Sequence, residues 1–131
     1  MVERQRIAEE EIDTLVEAFY ARVPADPVIG PVFVEQVHDW PAHLELLKSF
    51  WTTVLGLTGS DQGLLPRQFT GNPMQTHLKL ELEPRHFARW LALFAETARE
   101  VLDAEKAEIF IARSQRIAQT LQRGIAAQRG Q

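Results

Sequence analysis

The sequence contains no cysteine. That one absence removes disulfides, thiolate nucleophiles, iron–sulfur clusters and cysteine-type zinc sites together. Tyrosine occurs once, methionine twice and histidine four times, so possible metal ligands are few. No apolar run approaches the roughly 20 residues needed to span a bilayer. The N-terminal Met1-Val2-Glu3-Arg4-Gln5-Arg6 lacks the apolar stretch of a signal peptide, and a cytoplasmic location is expected. Basic excess is missing too: the formal charge is −4 and the pI about 5.6, which argues against general nucleic-acid binding. What remains is a chain of 131 residues, 45% hydrophobic and 24% charged. It is expected to form one globular domain over residues 1–131. A chain of this size buries roughly two thirds of the surface it exposes when unfolded.

The apolar residues recur at helical spacing. Ile12, Leu15, Val16, Phe19 and Val23 share one face, with Ile7 and Ala8 extending it backward, and Pro24 and Pro27 stop it. Tyr20 is turned about 100° from Phe19, at the border of that face. Residues 24–37 form a compact, apolar, irregular connection with short turns of helix. A second long helix begins at Asp39, a good N-cap, with Pro41 in its first turn. Its apolar stripe carries Leu44, Leu47, Phe50, Trp51, Val54 and Leu55, with His43 one turn from Leu47.

Residues 56–73 are rich in glycine and proline and read as a long loop, for which ligand binding is the usual explanation. A short helix over Pro73–Leu80 comes next. The alternation of Leu78, Leu80 and Leu82 suits a strand, but no second strand signal exists to pair with it. Glu83-Pro84 opens a third long helix with Phe87, Trp90, Leu91, Phe94, Ala98 and Val101 in register. Asp103 caps the last, whose stripe is Ala107, Phe110, Ser114, Ile117, Leu121 and Ile125, with Gly124 and Gly130 marking a frayed end. The fold class is all-α, with four substantial helices.

Several chemistries are missing. There is no His-Glu-x-x-His, no phosphate-binding Gly-x-x-x-x-Gly-Lys and no Gly-x-Ser-x-Gly elbow. Glu9, Glu10, Glu11 and Asp13 read as a solvated helix face. Taken singly, His77 and His43 each fit an ordinary polar or core-edge histidine, and His38 and His86 read as surface residues. The aromatic residues Tyr20, Phe33, Trp51, Phe87, Trp90 and Phe94 fall on apolar faces, most simply as core. Tyr20 and Trp90 nevertheless each bring a donor that must be satisfied when buried. Aromatic walls, two donors and a histidine would suit a flat apolar cofactor carrying a small polar ligand. For a haem iron, this chain offers axial ligands only from His38, His43, His77, His86, Met1, Met74 and Tyr20.

Over nearly its whole length, from Ile12 to Leu121, the chain resembles the truncated haemoglobins, specifically their third group. The anchors are Phe19-Tyr20, Gly30-Pro31-Val32-Phe33, Trp40-Pro41-Ala42-His43 with Phe50-Trp51, Gly71-Asn72-Pro73-Met74-Gln75-Thr76-His77-Leu78, and His86-Phe87-Ala88-Arg89-Trp90-Leu91-Ala92-Leu93-Phe94. Their order and separations are jointly specific. The resemblance implies a two-over-two helical sandwich around one haem b (iron protoporphyrin IX). His77 then matches the iron ligand. Tyr20 and Trp90 match distal donors to the bound ligand, and His43 a distal histidine gating access. Phe19, Phe33, Leu47, Trp51, Met74 and Phe87 match the surround of the cofactor. Phe69 departs from the pattern, standing where relatives often carry tyrosine. Arg67, Lys79, Arg85 and Lys48 are candidate propionate partners by position only, and each reads more simply as a solvated surface charge.

The resemblance further implies a five-coordinate iron that binds O₂, NO or another diatomic ligand, holding O₂ tightly enough for O₂/NO redox chemistry rather than transport. Turnover as an NO dioxygenase or peroxidase would need an external reductase, since no flavin or nicotinamide motif is present. A haem-based gas sensor and a cofactor-free helical interaction module are the alternatives. No nucleic-acid or membrane partner is expected.

Overall fold

The computed structural model describes residues 7–55, 77 and 80–130. Among them are five α-helices: α1 (Glu9–Arg22), α2 (Gly30–Gln36), α3 (Trp40–Val54), α4 (Pro84–Val101) and α5 (Ala104–Gln128). A 3₁₀ turn, Val23–Ala25, succeeds α1 where Pro24 ends the regular helix.

The helix ends are set locally. Asp39 accepts from the Ala42 N–H at 3.1 Å and Asp103 from the Lys106 N–H at 2.9 Å, as N-caps do. Proline sits in the first turns of α2, α3 and α4, where its missing N–H costs nothing. The last helix departs from expectation at Gly124, which lies inside α5 rather than at a frayed end. Leu121 and Ile125, both buried, anchor the helix on either side of it. The chain leaves the helix at Gly130, whose φ of 81° suits glycine. The expected 56–73 loop and most of the expected 73–80 helix lie outside the described residues. His77 itself is helical, and its carbonyl accepts the Leu80 N–H at 3.1 Å.

The helices pair α1 with α3 and α4 with α5, and the two pairs meet through α1 and α4. Ile12, Leu15, Val16, Phe19, Phe94, Ala98, Ala107 and Phe110 fill the centre. Polar links clamp the seams. Lys48 on α3 reaches Glu17 on α1 at 2.7 Å, and Arg22 on α1 donates to Thr97 on α4 at 2.9 Å.

Hydropathy patterning carries no hint of the role of Asp26. Its side chain is 3% exposed; one oxygen accepts the N–H groups of Val28 and Ile29 at 3.0 Å, and the other accepts Arg89 Nε at 2.6 Å. It thereby ties the connection before α2 to the second turn of α4. Gly30 closes the same connection; a Cβ there would lie 2.7 Å from the Pro24 carbonyl oxygen. Burial acts to raise the Asp26 carboxyl, but the Ile29 N–H, Arg89 and the Val28 N–H outweigh it and hold the group below the usual carboxylate range. A lowered folded-state pKa contributes stability that is complete above the unfolded value and is lost as pH falls through the folded one. Asp26→Asn is therefore expected to cost on the order of 2 kcal/mol at pH 7. It should also remove part of the acid-induced loss below roughly pH 4. Urea melts at pH 7 and pH 3 check this; parallel acid limbs in parent and variant would count against it.

Candidate functional site

Between the helices lies a partly open cavity of about 760 Å³, within the roughly 300–1,000 Å³ of small-molecule sites. Tyr20 lines it from α1, Phe33 from α2, and His43, Leu47 and Trp51 from α3. Phe87 and Trp90 enter from α4, while Ser114, Ile117, Ala118 and Leu121 close it from α5. His77 lines it from the segment between α3 and α4.

Periodicity explains how α1 serves two purposes. Phe19 is wholly buried and does not line the cavity, contrary to its expected place around a cofactor. It packs edge-on beneath Tyr20 at 4.6 Å and against Trp90 and Phe94 at 5.2 Å. The turn of about 100° to the next residue points Tyr20 at the cavity instead. Phe19 is thus the support behind the wall.

The walls are held by rings. Phe94 stacks between Trp90 (4.8 Å, 10°) and Trp51 (5.3 Å, 9°), so both tryptophans meet the cavity from a fixed base. Across from that stack, Tyr20, Phe33, Trp40 and His43 form an edge-to-face cluster, with the Tyr20–His43 and Trp40–His43 ring centres each 5.7 Å apart. Such geometry suits aromatic quadrupoles.

Burial pushes the Tyr20 phenol up, and a smaller opposing influence comes from the Trp90 side chain, which hydrogen-bonds toward it. The hydroxyl therefore stays protonated and able to donate across the physiological range. Burial lowers the His43 imidazole, which favours its neutral form. His43 Nε2 is buried and has no hydrogen-bond partner among the described residues. A buried nitrogen of this kind marks a place where a polar partner would be favourable.

Met74 lies outside the described residues, as do Arg67, Lys79 and Phe69. Two of the expected propionate partners are engaged elsewhere. Lys48 is buried between Glu17 and Glu45, and Arg85 pairs with Glu83 on the surface. His38 is exposed as expected, though it lines the cavity mouth beside Asp39. His86 is the clearest correction. Expected on the surface, it is 8% exposed and lines the cavity. The signal was present: His86 stands three residues after the N-cap Glu83, where a side chain can fold back to the cap N–H. Trp40, the outer wall behind His43, was likewise assigned no role of its own.

The model of the bacterial-like globin family matches residues 7–123. The chain belongs to that family. It is 30% identical over 123 residues to a Group 3 truncated haemoglobin of Campylobacter jejuni, covering 90% of this chain and 91% of that one. The crystal structure of the group III truncated haemoglobin from Campylobacter jejuni superposes with a TM-score of 0.78 at 29% identity, over 95% of both chains. A group II truncated haemoglobin from Bacillus anthracis superposes at 0.63 with 24% identity, over 93% of this chain and 92% of that one, and shares the fold. The all-α truncated-globin fold and the likeness to the third group are both borne out.

Haem-based binding of small diatomic ligands accords with membership of this globin family. The residues present fit a haem. The cavity is mostly apolar and ring-walled, one imidazole faces it from the His77 segment, and the Tyr20 phenol, the Trp90 indole and the His43 imidazole face it from elsewhere. No helix among the described residues is long and apolar enough to cross a membrane.

Proposed function

We propose that this protein binds haem b through the His77 imidazole and uses Tyr20, Trp90 and His43 to hold O₂ or another diatomic ligand. The observation that carries the reading is the buried Tyr20 phenol in the same cavity as Trp90 and His77. When bound, the haem supplies an open coordination position for the diatomic ligand. Tyr20 donates its O–H to that ligand. Trp90 offers the second donor, a single indole N–H that turns from the phenol to the ligand when the ligand binds. His43, neutral and wedged among Tyr20, Phe33 and Trp40, closes the approach from the α3 side. Phe33, Leu47, Trp51 and Phe87 exclude water, which strengthens each of these hydrogen bonds.

Such an arrangement holds O₂ tightly and releases it slowly, which suits O₂/NO redox chemistry better than transport. NO dioxygenase or peroxidase-like turnover would draw its electrons from a separate reductase. Reconstitution with haem b tests the reading. A Soret band is expected, with the ferrous spectrum of a five-coordinate, histidine-ligated haem and the ferrous–CO spectrum of its six-coordinate adduct. A chain that leaves haem free in solution would overturn it.

A further inference from the structure

Cavity-lining His86 has a ring whose two nitrogens face different demands. Nδ1 accepts the backbone N–H of Glu83 at 2.9 Å, closing the N-terminus of α4. An accepting nitrogen carries no proton, so the neutral ring bears its proton on Nε2. That nitrogen is on the opposite edge of a ring that is nine-tenths buried against the cavity. Among the described residues, none accepts its proton.

The cofactor that fits here carries two carboxylates on one edge, and a buried carboxylate without donors is costly. No lysine or arginine is among the described lining residues. Lys48 is taken by Glu17 and Glu45, and Arg85 by Glu83. Asp39, the one carboxylate of the described lining, is occupied capping α3 at the mouth. His86 sits instead in the first turn of the 18-residue α4, at the positive end of the helix dipole. Its neighbour Glu83 is exposed and paired with Arg85, so its charge is largely offset.

We propose that His86 Nε2–H binds a propionate carboxylate of the haem, with the Nδ1 bond to the α4 N-cap holding the ring in its donor tautomer. This rests on the haem reading above. It makes one residue both helix cap and cofactor ligand.

The test compares haem b with its dimethyl ester, which lacks the carboxylate charge, by following loss of each to excess apomyoglobin. In the parent protein the ester is expected to leave about tenfold faster than the free acid, as one charge-assisted hydrogen bond would give. In His86→Leu the free acid should leave about tenfold faster than from the parent, with ester loss unchanged. His86→Asn supplies an amide oxygen for the Glu83 N–H; it should restore thermal stability but not retention of the free acid. Equal loss of acid and ester from the parent would overturn the proposal without any variant. So would an unchanged acid-to-ester ratio in either variant. A parent with no Soret band would remove the haem reading and this inference together. A normal Soret band with an unchanged ratio would remove this inference alone.

Discussion

Replacing His77 by alanine is expected to raise the rate of haem loss by more than about 100-fold and to abolish the spectrum of a histidine-ligated ferrous haem. Altering partners that merely orient a metal ligand costs about 10–100-fold in affinity, so loss of the ligand itself should exceed that range. No described alternative can step in easily. His43 is wedged by three aromatic rings, and His86 is turned back to the N-cap of α4. His77, in contrast, faces the cavity from the segment between α3 and α4. Exogenous imidazole should diffuse into the space left by the deleted side chain and restore the parent spectrum. Retention of haem and spectrum by His77→Ala at parent levels would sink the assignment of the iron ligand.

The second large effect concerns O₂ release. A hydrogen bond to a charged acceptor contributes roughly 1.5–3 kcal/mol, and each 1.4 kcal/mol is about tenfold. Tyr20→Phe is thus expected to speed O₂ dissociation by about 10- to 100-fold, with CO, a poorer acceptor, affected far less. Trp90→Phe is the better partner variant than an aliphatic one, because it keeps a ring stacked on Phe94 while deleting the indole N–H. Since the Trp90 side chain also acts on the Tyr20 phenol, the two donors are coupled. The double variant should therefore fall short of the product of the single effects. Burial keeps the Tyr20 phenol above its ordinary value of 10.0, so the O₂ off-rate of the parent should be flat from about pH 6 to 9. Stopped-flow displacement of O₂ by CO measures all of this. Unchanged off-rates in Tyr20→Phe would exclude the phenol as the principal donor.

If both results hold, the aromatic residues divide by task. Phe94 and Phe19 bear no chemistry yet set the positions of Trp90, Trp51 and Tyr20. Truncating Phe94 would disturb donor and wall together, whereas Tyr20→Phe removes one oxygen. That contrast is why an effect confined to O₂, sparing CO and haem retention, identifies hydrogen bonding rather than general loosening.

Much of the frame was legible because helix signals are local. The 3.6-residue recurrence of Ile12, Leu15, Val16 and Phe19, the caps Asp39 and Asp103, and prolines 24, 41 and 84 act within a turn or two of chain. They require no knowledge of what packs against them. Candidate chemistry was legible for a different reason. With no cysteine and one tyrosine, few side chains could serve, and their order along the chain matched a known family.

The order of residues alone thus dictates which helices form, where they are capped, and which few side chains are chemically able to hold a metal or a polar ligand. Which of those residues meet is settled in three dimensions. Tyr20 and Trp90 are far apart in the chain and line one cavity; Asp26 and Arg89, 63 residues apart, share a partly buried ion pair. Phe19 and Tyr20 are adjacent, yet one is interior support and the other faces the cavity. His86 reads as a surface residue until the N-terminus of α4 turns its ring inward. The physical reason is the same in each case: periodicity and capping depend on a residue's nearest neighbours in the chain, whereas burial and pairing depend on how whole helices pack.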